Sequence, residues 1–281
     1  MARWCLLVLL LLLPGCGETP TPPPVHDGPR IISLSPAITG TLEDVGLGHC
    51  LVGRSHWCRL KTRDPEEVPA VGDLHERHWE AMLRVRPTHV FFQSEGIETD
   101  KALINLAAQN GWTLRAWPLR TVDEVQQVLF DLPDTINLMS SESNQSLLVR
   151  CQTLSDELSK SMQATSLPKP CRVLVINDDL PPLAWGTDTY LGEMLASAGG
   201  ENVVGSGGWK TLSIEELVRL QPDLVLIVAE QDTNQPPAIV SSSVTTIPED
   251  QCRWLVHSQI NFPGPHLAEV SFQMREILAN R

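Results

Sequence analysis

The sequence predicts an α/β protein of two similar three-layer lobes joined by one long rigid helix. The first observation is a repeat: residues 80–92 read E-A-M-L-R-V-R-P-T-H-V-F-F, and residues 215–227 read E-E-L-V-R-L-Q-P-D-L-V-L-I. In each copy a short amphipathic helix must end before a proline, and a buried apolar strand follows at once. A helix–strand unit that occurs twice predicts two lobes of the same construction.

The second observation is the βαβ pattern at the start of each half. The apolar run 31–34 leads through a Ser-Pro turn into a short helix, a glycine stop and a second strand at 51–53. The run 172–176 likewise leads through a loop into a helix, a Gly-Gly stop and a strand-like segment at 202–205. Strands that alternate with helices indicate parallel sheets.

The third observation is a long segment between the two halves, residues 142–163, which lacks glycine and proline and repeats apolar residues every three or four positions. Such a pattern is typical of one continuous helix. We therefore expect an N-terminal lobe at 30–138, a linking helix at 139–168 and a C-terminal lobe at 169–281.

The N-terminus predicts export. Residues 6–13 form an apolar run after a single arginine, far shorter than the ~20 residues of a membrane-spanning helix. The first sixteen residues therefore read as a signal peptide, and its ending, Leu-Pro-Gly-Cys, resembles a bacterial lipobox with Cys16 as the lipid-attachment residue. Residues 17–29 contain five prolines and predict an extended tether between membrane and folded protein.

Composition and motifs exclude several classes of function. A formal net charge of −13 argues against a nucleic-acid partner, which needs clustered Lys and Arg. The sequence contains no C-x-x-C spacing, which argues against a zinc ribbon or an iron–sulfur site. It also lacks the G-x-S-x-G, H-E-x-x-H and P-loop motifs, so we expect a protein that is not an enzyme.

The loops after the strands are the candidate ligand site, because open α/β sheets bind ligands beyond the carboxyl ends of their strands. The candidate ligand-binding residues are Ser35, Pro36, His56, Trp57, His75, Gln93, Trp185, Gly186 and Trp209. A cleft with Trp57 on one wall and two tryptophans on the other would suit a large flat macrocycle. Core packing is the alternative for each tryptophan.

Histidines in these loops raise the alternative of direct metal capture. His56, His75 and His78 could ligate a metal ion, but such sites need three or four ligands with supporting hydrogen bonds. We therefore expect no metal held by protein ligands alone, and His56 could instead contact a bound macrocycle.

Taken together, the motifs make the chain resemble the periplasmic cobalamin/iron-chelate substrate-binding proteins. The resemblance rests on both repeat segments and on R-I-I-S-L-S-P-A-I-T at 30–39, L-V-G-R-S at 51–55, V-P-A-V-G at 68–72, A-G-G-E-N-V-V-G at 198–205 and P-G-P-H-L at 263–267. It implies a ligand held between two lobes that move little. It also implies delivery to an inner-membrane ABC permease with its ATPase, by a monomer on the extracytoplasmic side of a bacterial membrane.

Members of this family bind cobalamin, haem or iron-siderophores, and this chain departs from their pattern at two places. Residues 56–60 read H-W-C-R-L where relatives often have a Cys-Asp-Tyr-Pro-like turn, and His266 stands where an arginine is common. Few arginines lie in the cleft loops, which disfavours a carboxylate-rich siderophore. We expect a corrinoid such as cobalamin, with haem or a ferric siderophore as the alternative, and a metal-ion receptor, sensor domain or enzyme on the same fold as a further one.

Glu80 and Glu215 occupy matching positions in the repeat. Residues 213–216 read S-I-E-E and predict a capping box that folds Glu216 back on the helix start and leaves Glu215 pointing outward. Acids also favour helix N-termini through the helix dipole, by ~0.3–1 kcal/mol. In the family, one glutamate per lobe at these positions contacts transporter arginines, so the resemblance implies docking by both residues.

Overall fold

A computed structural model of the chain describes residues 28–73, 75–96, 100–136, 138, 140–233, 235–241 and 247–281. The predicted signal peptide, Cys16 and residues 17–27 of the predicted tether lie outside the described residues. Within the described part of the chain, none of the helices combines the length and the apolar character that crossing a membrane requires.

The first sheet has four parallel strands in the order β2-β1-β3-β4. These strands are β1 (Ile31–Ser33), β2 (Leu51–Arg54), β3 (His89–Gln93) and β4 (Thr113–Trp117). The helices of this half are α1 (Pro36–Asp44), α2 (Trp79–Arg84), α3 (Lys101–Asn110) and α4 (Val122–Ile136). Helix α1 begins at a proline, which costs no hydrogen bond because the first N–H groups of a helix have no partner within it.

The second sheet has the strand order β10-β9-β5-β6-β8, with β7 beside the start of β5. Its strands are β5 (Arg172–Asn177), β6 (Leu183–Trp185), β7 (Glu201–Asn202), β8 (Trp209–Thr211), β9 (Leu224–Ala229) and β10 (Cys252–Val256). Its helices are α6 (Tyr190–Ser197), α7 (Ile214–Leu220), α8 (Ala238–Ser241) and α9 (Leu267–Ala279). Strands β7, β5, β9 and β10 repeat the order of β2, β1, β3 and β4. Strands β6 and β8 are antiparallel additions, and the described residues of the first half form no counterpart to them.

Both faces of each sheet are buried, because neighbouring strand residues enter different apolar clusters. In the first sheet Ile31 joins a central cluster and Ile32 an outer one. In the second sheet Val175 joins the same central cluster, whereas Ile176 joins a second outer one. The predicted α/β class is confirmed.

Helix α5 (Ser141–Ser161) lies between the two sheets in the chain and packs against α4 and α9. It begins where the Ser140 hydroxyl accepts a hydrogen bond from the Ser143 amide at 3.0 Å, which satisfies one of the unpaired N–H groups at the helix start. Its buried side, including Leu147 and Leu158, contributes to the central cluster. The apolar spacing of the sequence predicted this helix to within a few residues.

A duplicated contact ties each helix–strand unit of the repeat to the first strand of its half. Nη2 of Arg30 donates to the carbonyl of the residue before Arg86 at 2.6 Å, and its Nε donates to the Arg86 carbonyl at 2.9 Å. Nη2 and Nη1 of Arg172 make the same two bonds around Gln221, at 2.8 and 2.9 Å. Arg86 and Gln221 have φ values of +46° and +45°, and each precedes the proline of its repeat. The duplication therefore extends to backbone conformation.

Candidate ligand-binding site

A cavity of about 360 Å³ lies where the carboxyl ends of the two sheets face each other. Its lining residues are Gln93, Leu119, Asn177, Leu183, Trp185, Tyr190, Trp209, Asn261, Phe262 and Pro263. Gln93 ends β3 and Asn177 ends β5, so the cavity occupies the position where open α/β sheets bind ligands. A larger cavity of about 480 Å³ lies between the end of α1 and the start of α5, away from these strand ends.

The described part of the lining offers hydrogen-bonding and aromatic groups without a formal charge. Its polar side chains include the amides Gln93, Asn177 and Asn261, and its aromatic side chains are Trp185, Tyr190, Trp209 and Phe262. Amides donate and accept hydrogen bonds, and the rings present wide apolar faces. This combination fits a flat ligand decorated with neutral polar groups.

The antiparallel strands β6 and β8 build the aromatic wall. Their register places Trp185 directly opposite Trp209, so both side chains stand on the same face of the sheet. Trp185 is buried, whereas Trp209 is 37% exposed and lies with its ring centroid 6.5 Å from that of Tyr190. Trp209 thus presents a ring that a ligand can cover.

Tyr190 is the one tyrosine of the chain and begins α6 at the base of this wall. Its hydroxyl donates to the carbonyl of Ile260 at 2.8 Å, and burial raises its pKa well above the ordinary value. The indole N–H of Trp185 lies close enough to lower that pKa slightly, although it forms no hydrogen bond of good geometry. The phenol therefore stays protonated and engaged at neutral pH.

Gly186 supports the wall from behind and is not part of the cavity lining. Its N–H donates to the Gly208 carbonyl at 2.9 Å, and a Cβ atom at this position would lie only 2.6 Å from the same oxygen. The backbone at Gly192 is even more crowded, because a Cβ atom there would lie 2.0 Å from the carbonyl oxygen of Gly186. Only residues without side chains allow this crossing of backbones.

Ser35 and Pro36 reach the cavity only indirectly. Ser35 is fully buried, and its hydroxyl donates to Oε1 of Gln93 at 3.3 Å. Nε2 of Gln93 donates to the carbonyl of Pro118 at 3.0 Å, which fixes the orientation of the amide. Pro36 starts α1. Of these three predicted residues, the structure brings only Gln93 to the lining.

His56, Trp57 and His75 gather around Asp73, away from the cavity lining. The Asp73 carboxylate lies 3.4 Å from Nε2 of His56 and accepts hydrogen bonds from Nε1 of Trp57 at 3.3 Å and from the His75 amide at 2.7 Å. Backbone N–H groups of Glu76 and His75 hold the pKa of Asp73 down, at about 2. Trp57 is 64% exposed. The Asp73 carboxylate therefore joins the side chains of His56 and Trp57 and the backbone of His75 in a separate polar group, and this aspartate was not among the predicted residues.

Several lining residues were not predicted from the sequence. Asn177 follows directly from the rule that site residues end strands, since it is the last residue of β5. The segment 261–263 follows β10, whose sequence C-R-W-L-V gives only a weak strand pattern because a charge interrupts it. Without that strand, the loop after it could not be assigned to the site.

An ion pair joins the two halves beside the cavity. Nη1 of Arg59, in the loop after β2, donates to Oε2 of Glu230 at 2.7 Å. The other carboxylate oxygen of Glu230 accepts from Nδ2 of Asn261 at 3.1 Å. Arg59 is mostly exposed, so solvent screens the pair.

Glu80 and Glu215 are the second residues of α2 and α7 and are both exposed. The predicted capping box is confirmed, with the Ser213 amide donating to Glu216 at 2.8 Å. Leu83 and Val218 follow three residues after the glutamates and are 40% and 46% exposed. The matching turns therefore present an acid and an aliphatic side chain on the same helix face.

Among the described residues, no three His, Cys, Asp or Glu side chains are placed to hold a metal ion together. The described cysteines are all buried and unbridged: Cys50, Cys58, Cys151, Cys171 and Cys252. Burial raises the pKa of each of these thiols, so they remain protonated near neutral pH.

Residues 31–114 match the family model for periplasmic binding proteins. The high-affinity heme uptake system protein IsdE of Staphylococcus aureus (strain Newman) is 23% identical over 230 residues, which make up 79% of this chain and 74% of that protein.

Solved structures share the fold over nearly the whole chain. The periplasmic heme binding protein HutB of Vibrio cholerae superposes with a TM-score of 0.70 at 18% identity, over 89% of this chain and 98% of HutB. The periplasmic vitamin B12 binding protein BtuF of Vibrio cholerae superposes with a TM-score of 0.66 at 20% identity, over 90% of this chain and 97% of BtuF. The fold is thus one on which proteins named for different macrocycles are built.

Proposed function

Since this chain matches the periplasmic binding protein family at residues 31–114 and has the fold of its solved relatives, we propose that it is the extracytoplasmic substrate-binding protein of an ABC importer. The observation that carries this proposal is the cavity between the two sheets, which the first half lines with Gln93 and Leu119 and the second half with amide and aromatic side chains. In this role the protein captures a macrocyclic ligand and delivers it to a permease with its ATPase.

For the ligand we infer a corrinoid such as cobalamin. Among the residues that the structure describes, the lining contains three side-chain amides and four aromatic rings but no charged side chain. The amide substituents of a corrinoid pair well with amides, whereas the propionates of haem are better matched by guanidinium or ammonium groups. The polarity of the cavity therefore favours the neutral ligand.

Iron ligation supports the same choice. Haem proteins hold the iron with an axial His, Cys, Met or Tyr, and of the described lining residues only Tyr190 belongs to this set. Its hydroxyl is committed to the Ile260 carbonyl and its pKa is raised by burial, so it is poorly suited to bind iron as a phenolate. A cobalamin brings its own axial ligands and needs none from the protein.

Haem binding is the second candidate, and the group around Asp73 is the observation that favours it. His56 and Trp57 are exposed, with ring centroids 4.8 Å apart and planes inclined by 45°. A macrocycle that extended beyond the cavity to this loop would find there an imidazole for iron and an indole for stacking. The names of IsdE and HutB refer to heme.

The test is a titration of the mature protein, purified from cells, with cyanocobalamin, cobinamide, haemin and a ferric siderophore. We expect the two corrinoids to quench tryptophan fluorescence and to bind more tightly than haemin. Tighter binding of haemin, with a shifted Soret band that His56→Ala abolishes, would replace the corrinoid by haem. Failure of all four ligands to bind would contradict the transport proposal itself.

For the permease we propose that Glu80 and Glu215 are the docking residues, one in each half. They occupy the same helix position, each lies nine residues before the strand that follows, and each is exposed. The exposed Leu83 and Val218 extend both contacts in the same way. Two matching acidic and aliphatic patches fit a two-fold partner with basic residues at its surface.

Glu142 provides a matched control for docking, because it is exposed at the second position of α5 and experiences the same helix dipole. We expect Glu80→Lys and Glu215→Lys each to lower ligand import about tenfold or more, since a lost ion pair and a new repulsion cost several kcal/mol, on the order of 2–5. Glu142→Lys should change import little. Ligand affinity, measured by fluorescence, should be the same in all variants. Normal import by the double Glu80/Glu215 variant at low receptor abundance would contradict the docking role.

For cellular location we propose export and lipid attachment at Cys16, with a monomeric receptor tethered outside the cytoplasmic membrane. The support is the short apolar leader and the lipobox-like ending. The substitution Cys16→Ser should move the protein from the membrane to the soluble fraction of fractionated cells. Equal membrane association of both forms would contradict lipid anchoring.

A further inference from the structure

The segment 257–266, here called the strap, joins β10 to α9 and lies between the ligand cavity and the N-terminal half. Its residues Asn261, Phe262 and Pro263 line the cavity. It also packs against α1, where a Cβ atom at Gly40 would lie 2.9 Å from Nε2 of Gln259. The position of the strap therefore sets one wall of the cavity.

Two stacked imidazoles hold the backbone of Gln259 in the strap. The rings of His257 and His266 are parallel within 4°, with centroids 4.6 Å apart. The Gln259 amide donates to Nδ1 of His257 at 3.2 Å, and Nε2 of His266 lies 3.0 Å from the Gln259 carbonyl. An amide N–H only donates and a carbonyl only accepts. Nδ1 of His257 must therefore be unprotonated, and Nε2 of His266 must carry the proton.

This arrangement works only with neutral rings. A proton on Nδ1 of His257 would point at the N–H of Gln259 and break the hydrogen bond. A second proton on His266 would have to be placed on Nδ1; it would leave the hydrogen bond from Nε2 to the Gln259 carbonyl in place, but it would put a charge on a ring that burial and the neighbouring His257 keep neutral. Two charged rings at this separation would also repel each other.

We propose that His257 and His266 are positioning residues for the ligand site, which fix the strap while both rings are neutral and release it when either takes up a proton. The part of this inference that concerns ligand affinity rests on the proposed function. Asn261 and Phe262 follow Gln259 closely in the chain, so movement of Gln259 is transmitted to the lining.

A second cavity, lined by charged side chains, lies beside His257 and His266 on the other side of the strap. It has a volume of about 310 Å³ and includes both histidines in its lining. The charged groups around it come from every packed element: Asp44 of α1, Lys61 of the loop after β2, Arg150 and Glu157 of α5, and Glu269 of α9. Asp44 is paired with Lys61 at 2.9 Å, and Glu269 lies 3.8 Å from Nε2 of His257. The acids favour protonation of His257, whereas Lys61 opposes it.

Burial of the two rings outweighs the effect of these charges on their pKa values. It lowers the pKa of His257 below its ordinary value of 6.5, and together with the charge on His257 it lowers that of His266 to about 3. In a released strap the rings would regain a pKa of about 6.5. The preference for the held strap is thus complete above about pH 6.5 and is lost as pH falls from there toward the lowered values.

The first test needs no ligand. Hydrogen exchange of peptides from the strap, corrected for the intrinsic pH dependence of amide exchange, should report an opening constant about thirtyfold higher at pH 5 than at pH 7.5, as expected for uptake of one proton at a pKa of about 6.5. Peptides from β9 should keep their protection. Strap protection that does not change with pH, or that falls only together with that of β9, would overturn the proposal.

The second test removes titration but keeps the hydrogen bonds. In a double variant, His257→Asn can accept from the amide two residues later, as Asn does in Asx turns, and His266→Gln can donate to the Gln259 carbonyl. Its strap opening should change less than about threefold between the two pH values, whereas His49→Asn, a histidine outside the strap, should retain the wild-type response. A thirtyfold response that persists in the double variant would overturn the proposal.

The third test measures how ligand affinity depends on pH, with cyanocobalamin and haemin as the probes. Wild-type affinity for the bound probe should be lower at pH 5 than at pH 7.5, by up to about thirtyfold for one proton, and the double variant should lose most of this dependence. Equal pH dependence in both proteins would overturn the positioning role. If the strap opens as expected but neither probe binds at any pH, the proposed ligand class fails and the strap inference stands.

Discussion

The two halves of the molecule share a framework and differ in what they place beside the cavity. The strand order β2-β1-β3-β4 recurs as β7-β5-β9-β10, and the arginine that ties the repeat to the first strand recurs as Arg30 and Arg172. The second half adds the antiparallel strands β6 and β8. Packing of the framework is therefore common to both halves, while the ligand-facing segments differ, as expected for loops on a rigid scaffold.

The difference also concerns how firmly each half holds its tryptophans. Trp185 and Trp209 stand on paired strands that close backbone contacts at Gly186 keep in place. Trp57 is 64% exposed, and its indole N–H has one partner, Asp73. The second half therefore fixes its two cavity-lining tryptophans through backbone pairing, whereas Trp57 in the first half is held by a side-chain hydrogen bond.

The largest expected difference between the halves is at the glycines of their first helices. Gly192→Ala in α6 should lower the free energy of unfolding by about 3 kcal/mol or more, because its Cβ would lie 2.0 Å from a backbone oxygen. Gly40→Ala in α1 meets only the flexible end of Gln259. There the gain in helix propensity, up to about 1 kcal/mol, offsets the crowding. Urea unfolding of the ligand-free variants measures both, and equal losses would refute the asymmetry.

The hydrogen bonds of Arg30 and Arg172 should instead stabilise the two halves equally. Arg30→Met and Arg172→Met each remove two hydrogen bonds from a charged donor to helix-end carbonyls and should each cost about 2 kcal/mol of unfolding free energy. Arg84→Met and Arg219→Met, in the last turns of the same two helices, are the controls and should cost only the dipole contribution, about 0.3–1 kcal/mol. If the losses of unfolding free energy in Arg30→Met and Arg172→Met differ by more than about 1 kcal/mol, the two contacts share their geometry but do not stabilise the two halves equally.

The smallest expected effect is the difference in ligand affinity between variants of Trp209 and Trp57. Trp209→Leu should weaken cyanocobalamin binding about tenfold, which is about 1.4 kcal/mol, because its exposed ring borders the cavity. Trp57→Leu should weaken it less than about threefold. Fluorescence titration measures both affinities. The reverse order would place the ligand at the loop around Asp73.

The sequence predicted the framework because its signals are local. The apolar runs of β5 and β9, the prolines after α2 and α7, and the S-I-E-E cap at 213–216 each act within a few residues. Local patterns of this kind determine where helices and strands begin and end. The repeat at 80–92 and 215–227 extended this local information to the matching construction of the two halves.

The candidate site could be predicted only in part. Gln93, Trp185 and Trp209 were predicted because they lie at or after the ends of apolar strand segments in the sequence, and the structure places all three in the cavity lining. Ser35 and Gly186 occupy similar positions in the sequence but do not line the cavity. The Ser35 hydroxyl donates a hydrogen bond to the Gln93 amide, and Gly186 lies where two backbone segments cross closely. Position after a strand indicates the edge of the sheet, and it does not tell which side chains point into the space between two sheets.

The sequence by itself determined the α/β class, the repeated helix–strand unit and the long helix, because periodicity and caps are properties of neighbouring residues. Only the tertiary structure decided that Asp73 contacts His56 and Trp57, and that His257 and His266 stack on each other and hold the backbone of Gln259 by hydrogen bonds. These contacts join loops whose partners are set by how strands and helices pack, and burial then sets the protonation states of the groups involved. No local pattern carries that information.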